Sequence, residues 1–499
     1  MTIKRIAQAC GFAAILLLPN YIDITSSSGD SRMRFPVPLT KIAVAHLLDL
    51  AIVALVFGCA MWMLRKLKTW PTVRWALMAL LPPFLFVCNL SVFPVAVPTV
   101  VVLSAIVIWL AVVVVLILRA PAIAVKLRQA GSAVLAGASI FAMVITWQLI
   151  QVALWRPMPQ AFAAQIPTQS ATRPRLVWIL FDELAYKPTF EARDPSVNLP
   201  NFDRLRSEST IYTDITPIAY RTMLVVPSLM LGRNVTGVDY TSTHHYLVQI
   251  DNSSDWTAFD ANASLFGMAK RDGVTTSIVG WYVAYCPIFS GVATECYWSN
   301  RDAQDNGPTS PDASFATNVW LPLRLLTEQF TSPAMARADI AARNAEAHGA
   351  SVTDVSQHAL ATLASSQADI IYLHLPAPHP PAFWDRRTQR FAAGGSYLDS
   401  LDYSDRLLGQ MLDLLRSQPR WTGTTLIVQG DHSWRTKMWR PLPGWSSEDE
   451  QISHQGEWDS RPVLLVHVAG QHNTQTVTAP TSLMFVHDFV ASQIQALAR

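Results

Sequence analysis

Between Ala96 and Leu118 the chain carries no charged side chain, and most of that stretch reads VVVLSAIVIWLAVVVVLIL. A helix of about 20 such residues crosses the hydrocarbon layer of a bilayer, where its backbone polar groups must be satisfied internally. A buried helix of a soluble core is the alternative for an apolar run, but the complete lack of charge argues against it. Four other segments have similar character: Ile6–Ile22, Ile42–Leu64, Trp75–Val95 and Gly131–Trp155. About five transmembrane helices are therefore expected in residues 1–156. The first is short and preceded by Lys4 and Arg5, as a signal peptide would be. It lacks an A-x-A cleavage signal before Asn20 and reads better as an uncleaved anchor.

Composition supports this division. The chain is 51% hydrophobic and only 15% charged, where soluble proteins are nearer a quarter charged. The apolar excess sits in the first 156 residues. A net charge of +2 without a basic patch gives no reason to expect nucleic acid.

Basic residues orient the helices. Lys4 and Arg5, then Arg65, Lys66, Lys68 and Arg74, then Arg119, Lys126 and Arg128 all fall on one side if five segments span. That side is expected to be the cytoplasm. The opposing loop has Arg32, Arg34 and Lys41, offset by Asp23 and Asp30. The C-terminal half is then periplasmic or extracellular. Cys286 and Cys296 lie in that half and could form a disulfide there, the alternative being two unpaired thiols. Cys10, Cys59 and Cys88 lie in apolar segments and read as small packing residues.

Residues 157–173 read as a linker, and a domain of globular composition follows over 174–499. Candidate strands are Leu176–Phe181, Thr275–Val283, Ile370–Leu375, Thr425–Val428 and Val463–Val468. They alternate with candidate helices Asn201–Ser207, Phe315–Phe330, Ala336–His348 and Tyr397–Leu415. That alternation predicts an α/β domain with a largely parallel central sheet.

Two of the strands run into acidic residues. VWILF ends at Asp182–Glu183, and TTLIVQG ends at Asp431–His432. Sites in open α/β sheets form at the carboxyl ends of strands. Carboxylates gathered there would repel one another unless a divalent cation neutralised them, and His432 could add a neutral nitrogen ligand. Such a donor set suits zinc or manganese best, with magnesium or calcium as alternatives. Thr222 precedes an apolar run in YRTMLVVPSLMLGR, where a threonine is ordinarily a helix N-cap. A hydroxyl at a helix start also lies where an anion is favoured, and next to a metal it can serve as a nucleophile.

Together LVWILFDELAY, LPNFDRLRSEST, Thr222 ten residues before Gly232, YLDSLDYSDRLLGQML and GDHSWR resemble the sulfatase-like branch of the alkaline phosphatase superfamily. The Cys/Ser-x-Pro-x-Arg formylglycine motif of true sulfatases is missing. A threonine with Pro227 five residues on, after membrane helices, is similar to lipid A phosphoethanolamine transferases and to lipoteichoic acid synthases and other phosphoglycerol transferases. The resemblance implies a bacterial inner or cytoplasmic membrane and a phospho-threonine intermediate. It also implies a phospholipid donor and a glycolipid or envelope glycan acceptor at the bilayer.

The same resemblance implies metal ligation by Glu183, Thr222, Asp431 and His432, with Asp182 at the position sulfatases use. It implies Thr222 as nucleophile and His379 beside the phosphoryl group, with His374 and His454 contacting substrate. Pro376 and Ala377 stand where a second-metal Asp would lie, so one tight metal site is expected. Ser433 replaces the usual glycine after the Asp-His pair, and at most one disulfide is available to this domain. A hydrolase using water as acceptor, and an inactive envelope assembly protein, are the alternatives.

Overall fold

Proline explains the first departure from these expectations. The structure, a computed structural model, describes residues 2–25, 38–90, 99–157, 159–166, 170, 173–240, 246–299, 309–311, 313–331 and 333–499. Asp30, Arg32, Arg34 and the end of the third expected span lie outside these. The first apolar segment is two short helices, α1 (Ile3–Leu16) and α2 (Leu18–Thr25). Pro19 has no amide to donate to the Ile15 carbonyl, which instead accepts from Asn89 Nδ2 at 3.0 Å.

Next come α3 (Thr40–Leu64), α4 (Trp70–Cys88), α5 (Thr99–Arg119), α6 (Pro121–Gly137) and α7 (Ser139–Leu154). The last two form one apolar stretch, Pro121–Leu154. Among the described residues, four helices are therefore long and apolar enough to cross a membrane. The expectation of about five is reduced because the first segment is divided.

The described residues form two compact units. One lies within Met1–Ser27, Val37–Arg156 and Gln304–Pro333, the other within Pro157–Ala303 and Ala334–Arg499. The second unit is built on a nine-stranded sheet. In chain order its strands and the neighbouring helices are β1 (Ala161–Ala163), β2 (Arg175–Phe181), α8 (Pro200–Arg206), β3 (Thr210–Tyr212), α9 (Thr222–Leu231), β4 (Thr276–Trp281) and β5 (Glu295–Ser299). After α10 (Phe315–Thr331) come α11 (Pro333–Ser365), β6 (Ile370–Leu375), α12 (Tyr397–Arg416), β7 (Thr424–Gly430), β8 (Leu464–His467) and β9 (Gln475–Val477). The sheet order is β1-β5-β4-β6-β2-β7-β8-β3-β9. The five strands from β5 to β7 are parallel, while β1 and β8 run antiparallel to their neighbours. Every residue of β2, β4, β6 and β7 is buried, as a parallel sheet covered on both faces requires.

Three residues from the stretch expected to be a linker thus join the sheet as β1. Helix α10 belongs to the first unit, although its sequence lies within the C-terminal half. It packs on α3, and Lys41 Nζ donates to the Pro311 and Ala313 carbonyls at 3.0 and 2.9 Å. No local sequence pattern distinguishes it from the other amphipathic helices.

Helix α12 begins with a capping box between Ser396 and Asp399. It is tied to α8 by Asp405, whose carboxylate accepts from the Asn201 and Phe202 amides at 2.9 and 2.8 Å. Buried Asp405 therefore caps the α8 start, joining the LPNFDRL segment to the helix before the Asp-His pair.

Cys286 and Cys296 are disulfide-bonded, with Cα atoms 5.5 Å apart. Closure of a loop this short stabilises a domain by about 2–4 kcal/mol. Thiol labelling of unreduced, denatured protein should therefore miss both residues and modify them only after reduction. Full labelling without reductant would exclude the bridge.

Candidate metal centre and nucleophile

Strand register creates the centre. Gly430 of β7 pairs with Phe181 of β2 in parallel register, so the next residues, Asp431 and Asp182, leave the sheet side by side. A Cβ on Gly430 would lie 2.4 Å from the Leu184 carbonyl oxygen. Only glycine permits that approach of the two strand ends. The Asp182 amide donates to the Leu375 carbonyl of β6 at 2.9 Å. The site therefore sits where the three central parallel strands end.

Asp182, Asp431 and His432 are almost entirely buried, and one ligand atom from each lies within 4.8 Å of the others. Thr222 meets them from the start of α9. Its Oγ1 donates to Asp431 Oδ2 at 2.7 Å, and lies 3.3 Å from Asp182 Oδ2 and 3.4 Å from His432 Nε2. The N-cap position of α9 belongs to Arg221, and no side chain caps that end. The ordinary capping role for Thr222 is thus absent, and its hydroxyl is directed at the carboxylates. At the other end of the helix Gly232 has φ of +65°, and a Cβ there would run into the His487 ring.

The electrostatics fit a cation. Burial pushes the Asp182 carboxyl well above its ordinary range, and the charges of Asp431 and Glu183 push it further. Burial opposes ionisation of Asp431 too. His432, His374 and hydrogen bonds from the Glu183 amide and Thr222 outweigh it and hold Asp431 below the ordinary range. Two buried carboxylates, an imidazole nitrogen and a hydroxyl are a suitable donor set for one divalent ion.

Glu183, expected as a ligand, is turned elsewhere. Its φ is +61°, an uncommon conformation for a residue with a Cβ. Its carboxylate accepts from Arg435 and from Trp439 Nε1 at 3.0 Å. Only its backbone amide serves the cluster, donating to Asp431 Oδ1 at 3.0 Å. Arg435 also donates from Nη1 to the Tyr220 carbonyl at 3.4 Å. A guanidinium therefore stands beside the α9 start, where the sequence contains no arginine of the sulfatase motif. Position alone would not have identified it, since Arg435 lies on a loop four residues after Asp431.

The two histidines of IYLHLPAPHPPAF have different surroundings. His374 is fully buried, with Nδ1 2.8 Å from the Tyr285 hydroxyl and Nε2 3.6 Å from Asp182 Oδ2. Burial lowers its pKa to about 4. His379 Nε2 lies 3.4 Å from Arg435 Nη2 and 4.0 Å from Glu183 Oε1, and its ring packs against Trp281 and Trp439. Burial, followed by neighbouring His348 and Arg435, lowers its pKa well below the usual histidine value. Both rings are neutral near pH 7. His454, with φ of +47°, lines a neighbouring cleft with Lys187, Asp194 and Asp459.

The profile of the sulfatase family matches residues 174–498. No curated protein matches the chain. Similar solved structures include the phosphonate monoester hydrolase of Agrobacterium radiobacter, at 13% identity and a TM-score of 0.37 over 65% of this chain and 74% of that one. A protein in the alkaline phosphatase superfamily from Vibrio parahaemolyticus matches at 13% and 0.37 over 65% and 66%. The PsFucS1 sulfatase from Pseudoalteromonas sp. matches at 13% and 0.37 over 65% and 68%. With well over half of its length covered by the family profile, the chain belongs to the sulfatase family.

Proposed function

We propose that the protein is a membrane-anchored phosphotransferase. It moves a phosphoryl-linked head group, phosphoethanolamine or phosphoglycerol, from a phospholipid to a hydroxyl on an envelope glycolipid or glycan. The observation that carries this reading is the Thr222 hydroxyl, 2.7 Å from Asp431 Oδ2 and free of any capping role. The four long apolar helices support a donor and acceptor at the bilayer.

In the first half-reaction Thr222 Oγ1, oriented by its hydrogen bond to Asp431, attacks the donor phosphorus and gives up its proton. The phosphorus–oxygen bond to diacylglycerol breaks, and diacylglycerol leaves with that electron pair and, in the net exchange, the proton. In the second, an acceptor hydroxyl attacks the phospho-threonine, and the Thr222 oxygen recovers a proton as its bond to phosphorus breaks. Arg435 and the neutral His379 ring offer N–H groups to the phosphoryl oxygens, where charge grows in the transition state. His374, fixed by Tyr285, packs behind Asp182. A divalent ion held by Asp182, Thr222, Asp431 and His432, with zinc or manganese preferred, would supply Lewis acidity and lower the pKa of the hydroxyl.

The test is mass spectrometry of the Thr222 peptide after the full chain is incubated with mixed phospholipids. A phosphoethanolamine or phosphoglycerol adduct on Thr222 is expected, and its mass identifies the donor. Continuous head-group release into water with no transfer to any added glycolipid would favour a hydrolase.

This reading also places residues after Arg173 outside the cytoplasm. The basic residues between α4 and α3, and those where α5 meets α6, share one side because α4 and α5 separate them. The Pro121–Leu154 stretch then crosses once more. The side is the same whether or not α1 and α2 cross. A C-terminal alkaline phosphatase fusion should be active and a fluorescent protein fusion dark. The opposite pattern would reverse the topology.

A further inference from the structure

At the end of the membrane unit where α1 begins and α3 ends, two arginines converge with no acid beside them among the described residues. A cleft between these helices is lined by Arg5, Gln8, Phe57, Gly58, Trp62 and Arg65. Lys66 stacks over the Trp62 ring at 3.5 Å, bringing a third cation to the rim. The acidic residues in 1–156 are Asp23, Asp30 and Asp49. At 1.5 Å rise per residue, Asp49 lies about 24 Å back along α3 from Arg65. Asp23 belongs to α2, beyond the far end of α1. Among the described residues no carboxylate pairs with either guanidinium. Gln8 is anchored through Nε2 to Ser132 Oγ on α6, so the floor of the cleft is fixed by a third helix.

Two like charges lining one cleft beside an apolar helix pair favour a counter-anion. We infer that the mouth of this shallow cleft binds the phosphate of an acidic phospholipid, with Arg5 and Arg65 on the phosphate oxygens and an acyl chain lying along the adjoining apolar helix surface. Trp62, half exposed, sits at the depth where an indole favours the boundary between head groups and chains. Paired guanidiniums suit a phosphate geometrically, and basic pockets between membrane helices are suited to anionic head groups. This lipid site is independent of the Thr222 centre and of the reaction proposed there.

The experiment uses the full chain in nanodiscs of dioleoyl phosphatidylcholine doped with dioleoyl phosphatidic acid, which carries no transferable head group. Native mass spectrometry reads retained phosphatidic acid. The wild type should retain one molecule preferentially. The Arg5→Gln/Arg65→Gln protein should bind it about 30-fold more weakly, the loss expected for two head-group cations. Gly58→Leu fills the cleft while keeping both charges, and should lose the lipid as well. Lys126→Gln/Arg128→Gln removes equal charge at the start of α6 and should bind like the wild type. A melting scan in lipid-free detergent establishes that each variant is folded. Equal retention by the wild type and both cleft variants would overturn the site. Loss in the Lys126/Arg128 variant as large as in the cleft variants would reduce it to bulk charge and overturn it too. Displacement of bound phosphatidic acid by millimolar inorganic phosphate would overturn its assignment to a lipid.

Discussion

Thr222→Ala should fold, keep its metal, and lose turnover of a p-nitrophenyl phosphodiester by about 10³-fold or more. Folding should survive because Thr222 caps nothing. The N-cap position is Arg221, and the Thr222 side chain bonds only within the acidic cluster. Metal should remain because Asp182, Asp431 and His432 still converge without it. Thr222→Ser should retain part of the activity, since a primary hydroxyl can make the same attack. Turnover and metal content measured on each variant decide the matter. A metal-loaded Thr222→Ala protein with near-normal turnover would falsify the covalent mechanism.

Asp431→Asn should fail in a different way. Asp431 accepts from the Glu183 amide at 3.0 Å and from Thr222 at 2.7 Å, with His432 Nε2 at 3.2 Å. Asparagine preserves the shape but removes the charge a cation requires. In the wild type, added zinc or manganese at 100 times its dissociation constant should stabilise the fold by about 2.7 kcal/mol. The variant should gain almost nothing and should be inactive at the same metal concentration. Thermal melting with and without added metal reads this without any assay of turnover. A melting shift in Asp431→Asn equal to that of the wild type would remove Asp431 from the ligand set.

The buried cluster of Asp182, Asp431 and His432 was largely legible because its residues follow strands. A β-strand with both faces buried shows in sequence as an uninterrupted apolar run, and the first polar residues after it mark the carboxyl edge of the sheet. RLVWILF and TTLIVQG announced Asp182 and Asp431 in this way, and the parallel register of β2 and β7 put them side by side. The Thr222 hydroxyl could be proposed from its place before an apolar run. Whether it capped the helix or faced the acids depended on the backbone at Arg221.

Glu183 and Arg435 show the limit. Two consecutive carboxylates look equivalent in sequence, yet a backbone φ of +61° sends one to the cluster's edge and commits it to Arg435 and Trp439. Short strands such as β1, β3 and β9 have no readable period, since three residues cannot display alternation. They form because a neighbouring strand offers unpaired amides and carbonyls.

Hydrophobic run length by itself determined that the first 156 residues include helices long and apolar enough to cross a membrane, because a run of about 20 uncharged residues matches the thickness of a bilayer's hydrocarbon layer. Strand–helix alternation determined the parallel α/β architecture of the second unit. Tertiary structure alone decided three other features. The Ile15 carbonyl, left without a helical donor by Pro19, finds Asn89, a residue distant in sequence. Helix α10 joins the first unit through its packing on α3 and the contacts of Lys41. Arg435 reaches the start of α9 because a loop following β7 folds back over Glu183. Each of these depends on a contact between residues far apart in the chain, and local composition carries no record of such contacts.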